Sequence, residues 1–213
     1  MKFESLLRIA GNEPLFETGL LLAGDVDAAD LRRQLSRWVN AGKLVQLRRG
    51  LYALAPPYRK LEPHPFVLSN QLARPSYVSL QSALAYHGLI PEAVPVTTAV
   101  TSGRPGRHTT PLGDCLYRHL GRALLTGYTR EEVAPGQLAL LATPEKALLD
   151  LVYLTPGGDS AGYLDGLRLQ GLERLDRARL HALTAASRKP KLARAARRVL
   201  QMARAEAEEY RDL

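Results

Sequence analysis

The apolar residues change period several times along the chain, and each change marks an element. Phe3, Leu6, Leu7 and Ala10 share one helical face, and Gly11 is placed to end that helix. PLFETGLLLAGD reads as a short extended piece running into a short helix around Gly19 to Ala23. In DVDAADLRRQLSRWVNAGKL, the residues Leu31, Leu35, Trp38 and Val39 keep helical spacing. Asp27 is a natural N-cap there, Asp30 sits at the third helical position of a capping-box-like arrangement, and Gly42 is the stop. The opposite face of this helix, Ala28 to Ala41, carries Arg32, Arg33, Ser36, Arg37 and Asn40. Two short apolar strands follow, Leu44 to Leu47 and Leu51 to Leu54, joined by Arg48, Arg49 and Gly50.

Helix, short helix, helix and basic two-stranded hairpin is the order of a winged helix-turn-helix. In that motif one helix enters the major groove, whose width admits it. Arginine suits both places, because its planar fork bonds two phosphate oxygens, or guanine O6 and N7, at once. Arg48 and Arg49, at the tip of a wing running from Lys43 to Leu54, would reach the backbone or a narrow minor groove, with Gly50 supplying the tight turn. Taken alone, the helix has a simpler reading as a solvated surface face. The helix and the Arg-Arg-Gly hairpin together point to DNA.

APPYRKLEPHP, residues 55 to 65, holds four prolines and mixed charge without helical or strand period. Proline restricts itself and its predecessor, so this stretch reads as a stiff connector. The expected organisation is a winged-helix domain over 1–57, a linker over 58–64 and a second domain over 65–213. In the second domain, SYVSLQSALAYHGLI predicts a helix capped by Ser79 and ended at Gly88, with His87 packing at its end. Val94 to Thr101 reads as a strand, followed by a loop holding Arg104 and Arg107 and a second strand in CLYRHL. Leu138 to Leu141 reads as a strand leading into a helix capped by Thr143, with Pro144 in the first turn and Glu145 at the positive helix end. From about Leu164 the chain reads as helical. The fold class is therefore α+β: an N-terminal winged helix-turn-helix, then a mixed α+β domain ending in helices.

The last of those helices is basic. Leu192, Ala196, Val199 and Ala203 form an apolar stripe, and Arg194, Arg197, Arg198, Gln201 and Arg204 form another face. Lys189 and Lys191 add charge at its start, and Glu206, Glu208 and Glu209 make its end acidic. Either this face is merely solvated, or it is a second surface for nucleic acid or a partner. A membrane-surface helix fits poorly, because the stripe is rich in alanine and lacks aromatic anchors.

Bulk composition agrees with a polyanion partner. The net charge is +8 and the pI about 9.8, a field that favours nucleic acid or an anionic surface. The single cysteine, Cys115, excludes an intramolecular disulfide and fits a reducing, cytoplasmic setting. MKFESLLRIAG carries Glu4 and Arg8 within its apolar stretch, a poor signal peptide, and no window offers the ~20 apolar residues of a membrane helix. Chemistry is thinly signalled. Glu145, Lys146 and Asp150 invite comparison with a nuclease centre, but the two carboxylates diverge on a helical wheel. The histidines lack the paired spacing of a zinc site, Cys115 lacks an activating neighbour, and SGRPGR lacks the Lys-Ser/Thr of a phosphate loop. No catalytic residue, metal or cofactor is expected.

The pairing of LVQLRRGLYAL with YVSLQSALAYHGLI and LATPEKALLDLVYL resembles the AbiEi-type antitoxin family over about residues 3 to 160. These are transcriptional regulators of type IV abortive-infection toxin–antitoxin systems. The resemblance implies an N-terminal winged helix that represses its own operon at inverted repeats near the promoter. It also implies a C-terminal domain that counteracts a nucleotidyltransferase-like toxin without requiring a stable complex. Carried over by position, the DNA contacts would fall on Arg32, Arg33, Ser36 and Arg37 of the helix and on Arg48 and Arg49 of the wing. For antitoxin action the surface on offer is the basic C-terminal helix, with Lys189, Lys191, Arg194, Arg197, Arg198 and Arg204. The competing reading is a non-enzymatic RNA- or protein-binding adaptor without operator specificity. RNA binding usually shows aromatic stacking platforms, and only 6% of this chain is aromatic.

Overall fold

The computed structural model describes residues 1–22 and 27–209. The expected short helix from Gly19 to Ala23 thus ends on a residue outside the described ones. Over the described residues the chain is a mixed α+β structure with eight α-helices and two sheets.

The N-terminal unit follows the apolar pattern closely. Helix α1 (Phe3–Ala10) buries Phe3, Leu6 and Ala10, and strand β1 (Phe16–Glu17) leads into a 3₁₀ turn over Thr18–Leu21. Helix α2 (Ala28–Asn40) is capped by Asp27, whose carboxylate accepts from the Asp30 amide at 2.7 Å. Its buried residues are Leu31 and Leu35, while Trp38 and Val39 are half-buried. Strands β2 (Leu44–Arg48) and β3 (Leu51–Leu54) form the hairpin and complete an antiparallel sheet of order β1-β3-β2. One apolar cluster joins Phe3, Leu6, Phe16, Leu31, Leu35 and Tyr52. Phe3 is held edge-on between Trp38 and Tyr58, at centroid distances of 5.3 and 4.9 Å.

The connector is packed down rather than free. Tyr58 lies against Phe3, Arg59 pairs with Glu62 at 2.9 Å, and the His64 amide donates to the Gln137 side chain at 2.8 Å. Gln137 returns a bond from Nε2 to the Glu62 carbonyl at 3.0 Å. Helix α3 (Pro65–Leu72), which the proline-rich pattern obscured, starts at the His64 cap, whose Nδ1 accepts from the Phe66 amide.

The second sheet has six strands: β4 (Ser76–Val78), β5 (Thr97–Thr101), β6 (Gly106–Thr110), β7 (Gly113–His119), β8 (Tyr128–Ala134) and β9 (Gln137–Ala142), in the order β6-β7-β5-β4-β9-β8. Three of these, β4, β6 and β8, are not among the strands that the sequence predicts. The segment read as a loop after Thr101 folds back as β6 on β7, and YTREEVA forms β8 on β9. Both are edge strands with largely exposed residues, so they carry polar side chains and lack the apolar alternation that betrays a half-buried strand. Helix α4 (Leu80–Tyr86) follows β4 almost without a turn. Leu80 takes a left-handed φ of 60° to make that reversal, and the Ser79 hydroxyl is directed away from its expected capping role.

Helices α5 (Pro144–Leu154), α6 (Ala161–Gly166), α7 (Arg177–Ser187) and α8 (Pro190–Glu209) complete the chain. Adjacent residues of β5 reveal the layering, because side chains of a strand alternate between faces. Val100 joins the large cluster with α4, α5 and α8, whereas Ala99 joins a cluster with Leu47, Leu51 and Ala53 of the hairpin and Val67 and Leu68 of α3. The hairpin therefore shares a core with the second sheet, so the two units are welded through apolar contact.

Candidate nucleic-acid interface

The α2 face opposite Leu31 and Leu35 is uncovered: Arg32, Arg33, Ser36, Arg37 and Asn40 are all exposed. Arg32 donates from Nε to the Ala28 carbonyl at 3.0 Å, a bond within its own helix that leaves its outer nitrogens outward. Arg33 bonds the Asp30 carboxylate, and that bond together with Asp30's charge holds its guanidinium above its ordinary protonation range. Asp30 is thus spent on Arg33, so the capping box is completed only on the Asp27 side. Arg37 and Ser36 have no side-chain partner among the described residues.

The two hairpin arginines part company. A bulge shifts the register between Gln46 and Arg48, and Gly50 turns the chain with φ 82°. Bulges re-aim side chains, and here Arg48 is re-aimed inward. Its guanidinium donates to the Gln71 carbonyl from Nε (3.2 Å) and Nη2 (3.1 Å), to Glu17 at 2.9 Å, and to the Arg49 carbonyl at 3.1 Å. Arg48 is a strut between the hairpin, β1 and α3. These bonds engage four of its five N–H donors and it lies half-buried, so the structure gives Arg48 a structural role where the sequence predicts a phosphate contact. Arg49 remains exposed, with no acidic partner among the described residues.

The basic helix at the other end divides in a similar way. Its stripe is buried as expected, through Leu192, Ala196, Val199 and Ala203, with Ala195 added. Lys191 donates to the carbonyls of Tyr153 (3.4 Å) and Thr155, closing the C-terminal end of α5. Arg194 bonds Asp159 at 2.7 Å and holds that carboxyl below its usual range. Lys189 sits over the Tyr153 ring at 5.9 Å. Arg197, Arg198 and Arg204 are exposed, and Arg197 and Arg198 have no ion-pair partner among the described residues. Because α8 covers the sheet face opposite the hairpin, this set and the α2 set form separate surfaces.

The acidic and basic residues of α5, whose spacing argues against a nuclease centre, are core residues. Glu145, Lys146 and Asp150 are at no more than 6% exposure. Lys146 and Asp150 form an ion pair four residues apart, and Asp150 Oδ2 also accepts from Tyr77 (2.9 Å) and Ser79 (2.8 Å). Burial raises the Asp150 pKa against the pull of those partners and raises that of Tyr77. Glu145 faces elsewhere: it accepts from the Asp176 amide at 2.8 Å and lies 3.5 Å from Arg179, tying α5 to α7. Sequence spacing could not reveal this buried network, because Tyr77 and Ser79 lie some seventy positions upstream, on and just after β4. No group of three or more metal-ligating side chains occurs among the described residues. Cys115 is buried, and burial pushes its thiol up, away from nucleophilic reactivity. His87 packs as expected, with Nε2 at 2.8 Å from the Ala142 carbonyl. Among the described residues, no helix is long and apolar enough to cross a membrane.

No family model matches the chain, and no curated protein matches it. Among solved structures it is similar to the RV2827C protein from Mycobacterium tuberculosis, with a TM-score of 0.54 and 18% identity over 93% of this chain and 75% of that one. At that identity the likeness shows a common fold.

Proposed function

We propose that the chain is a sequence-specific DNA-binding repressor of the AbiEi antitoxin type, acting at inverted repeats near its own promoter. The observation that carries this reading is the N-terminal unit: α1, a short turn, α2 and a hairpin on a sheet of order β1-β3-β2, with the polar face of α2 left uncovered. That order agrees with a winged helix-turn-helix, whose second long helix reads base edges while the wing meets the backbone. Arg32, Ser36 and Arg37 are then the base and phosphate contacts of α2, Arg33 is shared with Asp30, and Arg49 is the phosphate contact of the wing. On the same reading, the C-terminal domain counteracts a nucleotidyltransferase-like toxin functionally, without a stable complex, and Arg197, Arg198 and Arg204 are its exposed charges.

The test is a titration of the purified chain on duplex from upstream of its gene and on a scrambled duplex of equal length, at two salt concentrations. Tenfold or greater preference for the upstream duplex at physiological salt is the expected result. Equal, strongly salt-dependent binding to both would leave only a polyanion field and favour the RNA- or protein-binding adaptor.

A further inference from the structure

Between the end of α3, the segment joining it to β4, and strands β8 and β9 lies an open groove of about 620 Å³, within the size range of small-molecule sites. None of its lining residues is acidic, and two are arginines, Arg74 and Arg130. Arg130 has no side-chain partner among the described residues, and Arg74 is exposed over 55% of its side chain. The groove also has an aromatic wall. Tyr128 stacks on the buried Tyr77 with ring centroids 4.6 Å apart and planes at 21°, yet remains 39% exposed. Leu138, on the paired strand, is 44% exposed. Large exposed apolar side chains beside the unpaired guanidinium of Arg130, with Arg74 held only by the Gln71 side chain and, at 3.7 Å, by Glu17, call for a ligand that is flat and apolar at one end and anionic at the other. Asn70 does not compete for such a ligand, because its amide is spent on both backbone groups of Leu140.

The groove is also wired to the hairpin. Arg74 lies 3.7 Å from Glu17, the same carboxylate that holds Arg48 at 2.9 Å. Gln71, which lines the groove, gives its carbonyl to Arg48. An anion that draws Arg74 into the groove therefore leaves Glu17 to Arg48 alone.

We propose that this groove binds a nucleoside phosphate, with Arg74 and Arg130 on the phosphates and the base against Tyr128, and that occupancy tightens the Glu17–Arg48 anchor of the hairpin. Guanidinium forks match phosphate oxygens, and a tyrosine face accepts any base. The binding site does not rest on the DNA reading, and its test uses no DNA.

The experiment is calorimetric titration of the full chain with ATP, GTP, CTP and UTP, and with adenosine and inorganic pyrophosphate, at physiological salt. The expected result is saturable, submillimolar binding of at least one triphosphate at one site per chain, with adenosine and pyrophosphate each at least tenfold weaker. Arg130→Gln and Tyr128→Leu should each weaken that binding tenfold or more, with unfolding midpoints unchanged. Arg197→Gln/Arg198→Gln, which removes charge from the opposite sheet face, should leave it unchanged. Hydrogen exchange at the amides of residues 46–51 should slow on saturation. Absence of saturation, equal binding of pyrophosphate, or equal weakening in the Arg197/Arg198 variant would overturn the site; unchanged exchange in the hairpin would overturn the relay.

Discussion

Helices α2 and α5 carry similar residue types in opposite ways. On α5, Glu145, Lys146 and Asp150 face inward, and the rest of the chain supplies their partners: Tyr77 and Ser79 from the β4 region, the Asp176 amide and Arg179 from the start of α7. On α2, Arg32, Arg33, Ser36 and Arg37 face outward, and Asp30 is the one acidic side chain that pairs with them among the described residues. The charges of α5 are parts of the core. Those of α2 are free to meet something else, and the difference separates structural charge from available charge.

The sharpest way to break that contrast is Lys146→Met. Removing one partner of a buried pair strands the other, so a destabilisation of about 3–5 kcal/mol is expected in urea unfolding. Arg37→Ala should stay within about 0.5 kcal/mol. Similar effects in the two variants would erase the distinction. The Lys146 variant should also have a steeper pH dependence than the wild type. Burial already raises the Asp150 pKa, and without Lys146 nothing cationic opposes that rise. A carboxyl raised in the folded state binds its proton more tightly there, so the variant should be most stable at acid pH and lose stability as pH rises through the folded pKa.

Arg48→Ala tests the same distinction at the hairpin. Its bonds to Gln71 and Glu17 make it structural, and a destabilisation of about 1–2 kcal/mol is expected, discounted for partial exposure. Arg49→Ala, one residue on, should leave unfolding unchanged. Sequence alone does not separate the pair. Turn chemistry locates the tip and Gly50, but the bulge that re-aims Arg48 depends on pairing with β3 and on α3 standing beneath it. Much else is legible locally: the caps at Asp27 and Thr143, the apolar stripes of α1, α2 and α8, and the exposed face of α2 all follow from short-range spacing. What escapes is long-range or polar. Edge strands β6 and β8 have little apolar alternation, Ser79 gives its hydroxyl to a residue on a distant helix, and the proline-rich connector conceals α3 and its packing.

A smaller, pH-dependent stability effect is expected at that connector. Burial lowers the His64 pKa from its ordinary 6.5, and its Nδ1 must stay unprotonated to accept from the Phe66 amide. A histidine whose folded pKa is depressed contributes stability above the unfolded pKa, and this is lost as pH falls from about 6.5 toward the folded value. His64→Asn, which keeps an acceptor for the cap, should flatten that dependence in thermal melts between neutral and mildly acid pH.

On the proposed function, α2 and Arg49 meet DNA while Arg48 is held inside. The salt dependence of duplex binding, measured for the wild type, Arg49→Ala and Arg48→Ala, tests this most directly. The log–log slope should shrink by ~0.9 for each phosphate that the protein no longer neutralises, so Arg49→Ala should flatten it by about that amount and Arg48→Ala should leave it unchanged. Equal flattening by both variants would put Arg48 on the phosphates, and no flattening by either would remove the hairpin from the interface.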